Sequence, residues 1–437
     1  MADSSGRPRL EVAVVGAGWA GLAAAVEATR TGAHVTLFEM APAVGGRARD
    51  VVWHGRVLDN GSHICIGAYV ETMRLLREIG VDETTTFDRR PLTLVDCAGR
   101  GLRMRPGPPI RAFALAVLGR RGWSWRERFA LLRLARRWQR AGFRCSAGDT
   151  VAALTASLPT AVCREFIEPL CVAALNTPTS QASGAVFLRV LQAALAGSAG
   201  GADLLLPRLS LGQVLPAPAL AWLEGAGASL RLGRRVDRID ALDGQWRVDG
   251  EPFDRIVVAA TAVEAARLVA PHAPAWAATT QALRYEPIAT VYATSAGCVL
   301  PEPLIALRAD PTRPAQFVFD LGQLGREAGL LAFVISGASA WVERGTPATE
   351  AATMAQAGEQ LAGRLRAPLQ LVGTVVEKRA TFACVPALDR PPMAIAPGLL
   401  ACGDYVDGPY PATLEGAVRS GVIAARALVS RSGENPA

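Results

Sequence analysis

The chain has 437 residues, half of them hydrophobic, enough for a large core spread over two or three domain-sized units. Its net charge of +7 is carried almost entirely by arginine, since lysine occurs only at position 378. Twelve arginines against a single acid, Glu127, fall between Gly101 and Arg144, so the rest of the chain is mildly acidic, which excludes a general polycation built for nucleic acid.

The opening Met-Ala-Asp-Ser-Ser has no signal-peptide pattern, and no apolar run reaches the ~18 residues of a membrane span. Cysteines stand at 65, 97, 145, 163, 171, 298, 384 and 402 with no CxxC pair. They read as reduced core thiols of a cytoplasmic protein, with no metal site.

Residues Glu11 to Val15 predict a short buried strand. Gly16-Ala17-Gly18-Trp19-Ala20-Gly21 follows, then the helix-forming Leu22 to Ala28, a stop at Gly32, and a second strand from His34 to Phe38 ending on Glu39. This order predicts a Rossmann-like dinucleotide site. Gly16 permits the tight turn, Gly18 lets a pyrophosphate approach the backbone, and Gly21 lets helix and strand pack closely. The helix N-terminus directs free N–H groups at the phosphates. Glu39 is placed to accept from the adenosine ribose. Trp19, Ala20 and Met40 complete the first set of expected contacts.

Gly45, Gly46 and Arg47 come directly after that acid. Two glycines and a basic side chain beside the pyrophosphate suit the longer, bent FAD rather than NAD. The run from Arg56 to His63 reads as a strand entering a turn at Asn60, Gly61 and Ser62. With these residues the chain resembles the amine oxidase and phytoene desaturase superfamily of FAD enzymes.

Between Ile110 and Arg144, apolar residues at 129, 131, 132, 134, 135 and 138 form a helical stripe, with Arg133, Arg136, Arg137 and Arg140 on other faces. Arginines flanking Trp123, Trp125 and Trp138 suit a segment lying on an anionic inner-membrane surface. An ordinary amphipathic helix with solvated arginines has the same pattern. No nucleic-acid module accompanies it.

Residues 228–239 read as extended, and Asp254 to Thr261 as a buried strand followed by a helix. Gly225 and Gly227 follow a helix rather than a strand, so they mark its end and not a second nucleotide site. Electrons must therefore pass to or from an external partner. Gly398 to Cys402 is a further strand running into Gly403-Asp404, with a helix starting near Thr413. The superfamily resemblance implies that Asp404 sits near the ribityl chain or pyrophosphate. It implies that Gly403, Thr413 and Leu414 line the flavin, and that backbone at Val236 meets the adenine. The fold expected is α/β, with a discontinuous FAD-binding domain at 1–95, 208–275 and 375–437. Residues 96–207 and 276–374 form an inserted α+β substrate and membrane-facing domain.

Three further stretches sharpen the resemblance: Tyr285 to Tyr292, Glu377 to Ala383, and Tyr410 to Ala417. With Asn60, Gly61, His63 and Ile66 to Tyr69, they are similar to the bacterial hydroxysqualene dehydroxylases. The family pattern carries Gln where this chain has Ser62. The resemblance implies reductive removal of an allylic hydroxyl from hydroxysqualene to give squalene, within squalene and hopanoid synthesis. Such a site needs a proton donor; His63 and Glu415 are the candidates by position, followed by Tyr410 and Tyr69. Desaturation of a carotenoid or other isoprenoid, and non-catalytic isoprenoid carriage, are the alternatives. Amine oxidation is disfavoured because the sequence offers no aromatic cage or carboxylate clamp.

Overall fold

A computed structural model describes residues 9–242 and 244–429. The opening Met-Ala-Asp-Ser-Ser and the last eight residues of the expected 375–437 segment lie outside the described residues.

The strand Glu11–Val15 turns into the helix Trp19–Arg30 and returns as the strand His34–Glu39. The helix begins a turn before its Leu- and Ala-rich run, because Gly18 is already its N-cap. These strands join one six-stranded sheet in the order Ser229–Leu232, His34–Glu39, Glu11–Val15, Arg255–Val258, Leu399–Ala401 and Ala394–Ala396. All neighbours run parallel except the last. Both faces are covered, as parallel sheets require. Val12, Val14 and Val257 pack on one side, Ala13, Val15, Ile256 and Val258 on the other. Three stretches far apart in the chain therefore build one Rossmann-like sheet.

The C-terminal helix Leu414–Val429 lies against Trp19–Arg30. A side chain on Gly421 would run into the Ala20 carbonyl, so the two backbones touch there. Beneath that contact Glu27 is fully buried and ion-paired to Arg30, Arg74 and Arg426. Burial alone would raise its carboxyl, but the hydrogen bonds from Arg30 and Arg426, with Coulombic attraction from Arg426 and Arg74, outweigh this and hold it at about 2.

The insertion has two parts. One is a five-stranded antiparallel sheet, in the order Leu304–Ala306, Phe317–Asp320, Leu330–Ile335, Tyr285–Thr294 and Gln370–Phe382. The strand Tyr285–Thr294 alternates: Ala289, Val291 and Ala293 face the helix Thr346–Gln360, while Tyr292 faces Leu58. The strand Gln370–Phe382 crosses the expected boundary at 375. It stays paired with Tyr285–Thr294 from Gln370 through Phe382, so its second half belongs to this sheet.

The other part is helical and holds Pro109–Gly119, Trp125–Arg140, a π-helical turn at Cys163–Ile167, Glu168–Leu175 and Gly184–Ala196. Ser124 and Glu127 cap the basic helix reciprocally. Of the three tryptophans expected at a membrane surface, only Trp125 is exposed, at 61%; Trp123 and Trp138 are 4% and 6% exposed. Packing explains the difference. The Trp123 indole donates to Glu165 under the Arg120 guanidinium, and Trp138 meets Phe187 edge-on. Among the described residues no helix is long and apolar enough to cross a membrane.

Candidate active site

The glycine loop is held from three sides. Glu39 accepts from the Ala17 N–H at 2.7 Å and the Ala41 N–H at 2.8 Å. Gly45 donates to the Ala17 carbonyl at 2.8 Å and forms a bridge with Gly18. The Trp19 indole donates to the Ala48 carbonyl at 3.1 Å. No side chain caps the helix at Gly18, so its first N–H groups face outward from the loop. A Cβ on Gly46 would stand 3.1 Å from the Gly18 Cα, and Gly46 has φ of 60°. Only bare backbone leaves a floor this flat for a pyrophosphate.

The two ends of the chain meet through Arg47. Its guanidinium pairs with Asp404 and donates to the Ala380 carbonyl at 2.8 Å. Asn60 donates to the Arg47 carbonyl at 3.1 Å and to Glu377 at 2.9 Å. Glu377 opens one of the stretches that carry the family resemblance, but its partner is 317 residues away, so the Asn60 contact could not be read from sequence. Asp59 anchors the base of the same turn by accepting from Leu211 and pairing with Arg326. Tyr292 donates to the Asp59 carbonyl at 2.9 Å, and the Ser62 hydroxyl lies beside that phenol. Tyr285 sits near Asp404 and Arg47; burial, and after it the Asp404 charge, pushes its phenol up to about 12.

The C-terminal motif forms as a unit. The Gly403 N–H donates to Ser420 at 2.9 Å, and the buried Asp404 accepts from Ala412 through its carbonyl. Thr413 accepts from the Gly416 N–H at 3.0 Å and so opens the helix that starts at Leu414.

The model of the family described as flavin containing amine oxidoreductase matches residues 19–429. The chain belongs to that family. It is an FAD-dependent oxidoreductase. It is 27% identical to the hydroxysqualene dehydroxylase of Rhodopseudomonas palustris, over 95% of this chain and 97% of that one. A zeta-carotene desaturase of Zea mays is 34% identical, but over 93 residues and 21% of this chain. An oxidoreductase from Methanosarcina mazei has the same fold, with TM-score 0.71 and 15% identity over 96% of this chain and all of that one.

The residues fit FAD. The open helix end and bare glycine floor would take a pyrophosphate, Glu39 stands at the end of the second strand, and the Arg47–Asp404 pair joins the N- and C-terminal parts of the chain beside them. Val236 is buried, its carbonyl accepting from Arg267 at 2.8 Å, and the neighbouring Arg234 N–H donates to the Glu39 carbonyl. Ala20 faces the C-terminal helix, while Met40 is solvent-exposed.

The expected proton donors separate. The His63 Nδ1 lies 2.8 Å from the Gly61 carbonyl. A carbonyl only accepts, so Nδ1 carries the proton and the neutral ring offers Nε2 as an acceptor. Burial pulls the imidazole below its ordinary value, against the opposing pull of that hydrogen bond. Glu415 is fully buried, and its oxygens are already engaged. They accept from Glu71 N at 3.1 Å, Thr72 N at 3.0 Å and Thr72 Oγ1 at 2.7 Å, and pair with Arg419. The carboxylate caps the helix Val70–Glu78, with both oxygens already occupied as acceptors. Tyr410 lies under the Arg419 guanidinium, and burial raises the Tyr69 phenol.

Proposed function

We propose that this enzyme reductively removes the hydroxyl of hydroxysqualene to give squalene. The observation that carries the reading is the extent of the similarity to a hydroxysqualene dehydroxylase: it runs through nearly all of both chains, the substrate lobe included. Bound in its reduced form, FAD supplies the hydride that replaces the hydroxyl. The allylic C–O bond breaks with its electrons on oxygen, the oxygen takes a proton and leaves as water, and the new C–H bond forms at the same carbon. The protein's tasks are to hold that carbon, deliver the proton and keep water from the developing cation.

His63 is our choice for the proton donor, acting as the imidazolium with Nδ1 fixed on Gly61 and Nε2 directed to the hydroxyl. Glu415 is a positioning residue that joins the helix Val70–Glu78 to the C-terminal helix. An external donor recharges the flavin. The enzyme meets its substrate at an anionic membrane surface through the basic helices of 101–144. Leu115, Trp125 and Phe129 there are 62%, 61% and 50% exposed among arginines.

Purified enzyme, reduced chemically under argon and mixed with hydroxysqualene, is expected to yield squalene and oxidised flavin in equal amounts. Dehydrogenation of polyenes with no squalene formed would replace this reading with desaturation.

A further inference from the structure

Beneath the helices Pro109–Gly119 and Trp125–Arg140 lies a cavity of about 730 Å³. Natural ligand pockets are of this size, whereas ordinary protein interiors close-pack. Its walls are apolar: Phe113, Leu131, Phe166, Phe187 and Leu191 all line it and all are buried. Its exposed lining residues are Ile110 at the start of the first helix and Arg136, Gln139 and Arg140 in the last turn and a half of the basic helix, so the cavity opens between these two ends. No residue of the glycine loop, the Arg47–Asp404 pair or the Asn60–His63 turn is among the lining residues.

Two observations give this space a function. The π-helical turn Cys163–Ile167 sets Phe166 and Ile167 into the wall. Such turns are rare and are found frequently at functional sites. The following helix then runs from the wall residue Leu170 to Asn176. Six residues of helix span about 9 Å. The Asn176 amide donates to Thr381 at 2.9 Å, next to the Ala380 carbonyl that holds Arg47. The cavity thus ends one short helix away from the flavin cradle.

The mouth carries charge without a protein counterpart. Among the described residues Arg133, Arg136, Arg137 and Arg140 form no ion pair. Leu115, Trp125 and Phe129 are exposed on the same two helices. Arginines with apolar stems at an apolar opening match the phosphate level of an anionic bilayer.

We propose that this cavity is a holding site for the substrate's hydrocarbon chain, distinct from the flavin site and filled from an anionic bilayer past Arg136 and Arg140. The identity of the chain rests on the dehydroxylase reading. The test uses radiolabelled squalane, an inert chain that needs no chemistry. FAD-loaded wild-type enzyme, charged from neutral detergent micelles and desalted, should retain squalane in proportion to FAD. Ala135→Trp and Ala114→Trp each put an indole into the space and should weaken retention roughly tenfold or more at unchanged FAD content. Arg136→Glu combined with Arg140→Glu should retain micelle-delivered squalane but take it up more slowly from phosphatidylglycerol vesicles. Tryptophan variants that hold squalane like the wild type would overturn the site, and unchanged vesicle uptake by the glutamate variant would overturn the route. Squalane retention with no turnover of hydroxysqualene would end the dehydroxylase reading and leave the holding site standing.

Discussion

Arg47 and His63 show how much a single side chain decides here. From the glycine-side loop, Arg47 touches both the substrate sheet at Ala380 and the C-terminal Asp404. Arg47→Ala leaves Asp404 buried without its cation, and such truncations cost about 2 kcal/mol or more. FAD should bind at least ~30-fold more weakly, read by flavin retained on gel filtration. For His63 the pH profile is the sharper measure. Its value is lowered by burial, so the charged donor forms only below the ordinary imidazole range. Turnover should rise as pH falls through that lowered value and flatten below it. His63→Gln should lose this limb together with about 10²-fold in kcat. A variant that keeps the wild-type profile would remove His63 from the chemistry. The N-terminal strand, glycine turn and helix were legible because close backbone approach restricts which residues can stand there. The role of Glu415 was not legible, because its acceptors are used up by Glu71 and Thr72, some 340 residues earlier.

At the scale of elements, two helices depend on features of different kinds. The basic helix Trp125–Arg140 is started by the Ser124–Glu127 box, a local signal in the sequence. Ser124→Ala should cost ~1 kcal/mol, read by thermal unfolding. The C-terminal helix instead depends on contact. Gly421→Val forces a branched side chain against the Ala20 carbonyl, and backbone cannot give way as a side chain can. A loss of ~3 kcal/mol is expected, with FAD released at lower temperature than from the wild type. The amphipathic stripe predicted this helix pair's neighbourhood only in part. Periodicity marks which face is apolar but not what covers it. Trp123 and Trp138 therefore read as surface residues until Glu165 and Phe187, both remote in the chain, are seen against them. The strand that runs across position 375 was not legible for a related reason. A thirteen-residue strand that twice shifts its register has no local mark of where one domain yields to the next.

For the whole molecule, charge is arranged in two ways with opposite responses to conditions. The buried Glu27 cluster joins the helices Trp19–Arg30, Val70–Glu78 and Leu414–Val429. Its folded value of about 2 lies below the ordinary 4.5. The stabilisation it gives is therefore complete above ~4.5 and is lost as pH falls from there towards 2. Glu27→Gln should flatten acid unfolding over that window, measured by circular dichroism. The outer arginines respond instead to salt. On the membrane-surface reading proposed above, each would contribute about 1 kcal/mol at an anionic surface, screened over ~10 Å at 0.1 M. Sedimentation with phosphatidylglycerol vesicles should fall steeply as salt rises, and Trp125→Ser with Phe129→Ser should reduce it at every salt concentration. Equal sedimentation with neutral vesicles would remove the electrostatic part.

The Arg47–Asp404 pair also sets a schedule for the growing chain. The two residues are separated by 357 positions. At 5–20 residues per second a ribosome needs roughly 20–70 s to cover that distance. During this interval the parallel neighbours of the N-terminal strand–helix–strand unit arrive one after the other, Arg255–Val258 part-way through it and Leu399–Ala401 only at its end. If the Arg47–Asp404 pair holds the flavin, its capture waits for the end of synthesis. A ribosome stalled before residue 404 should carry a colourless chain, and the same chain released at full length in the presence of FAD should turn yellow.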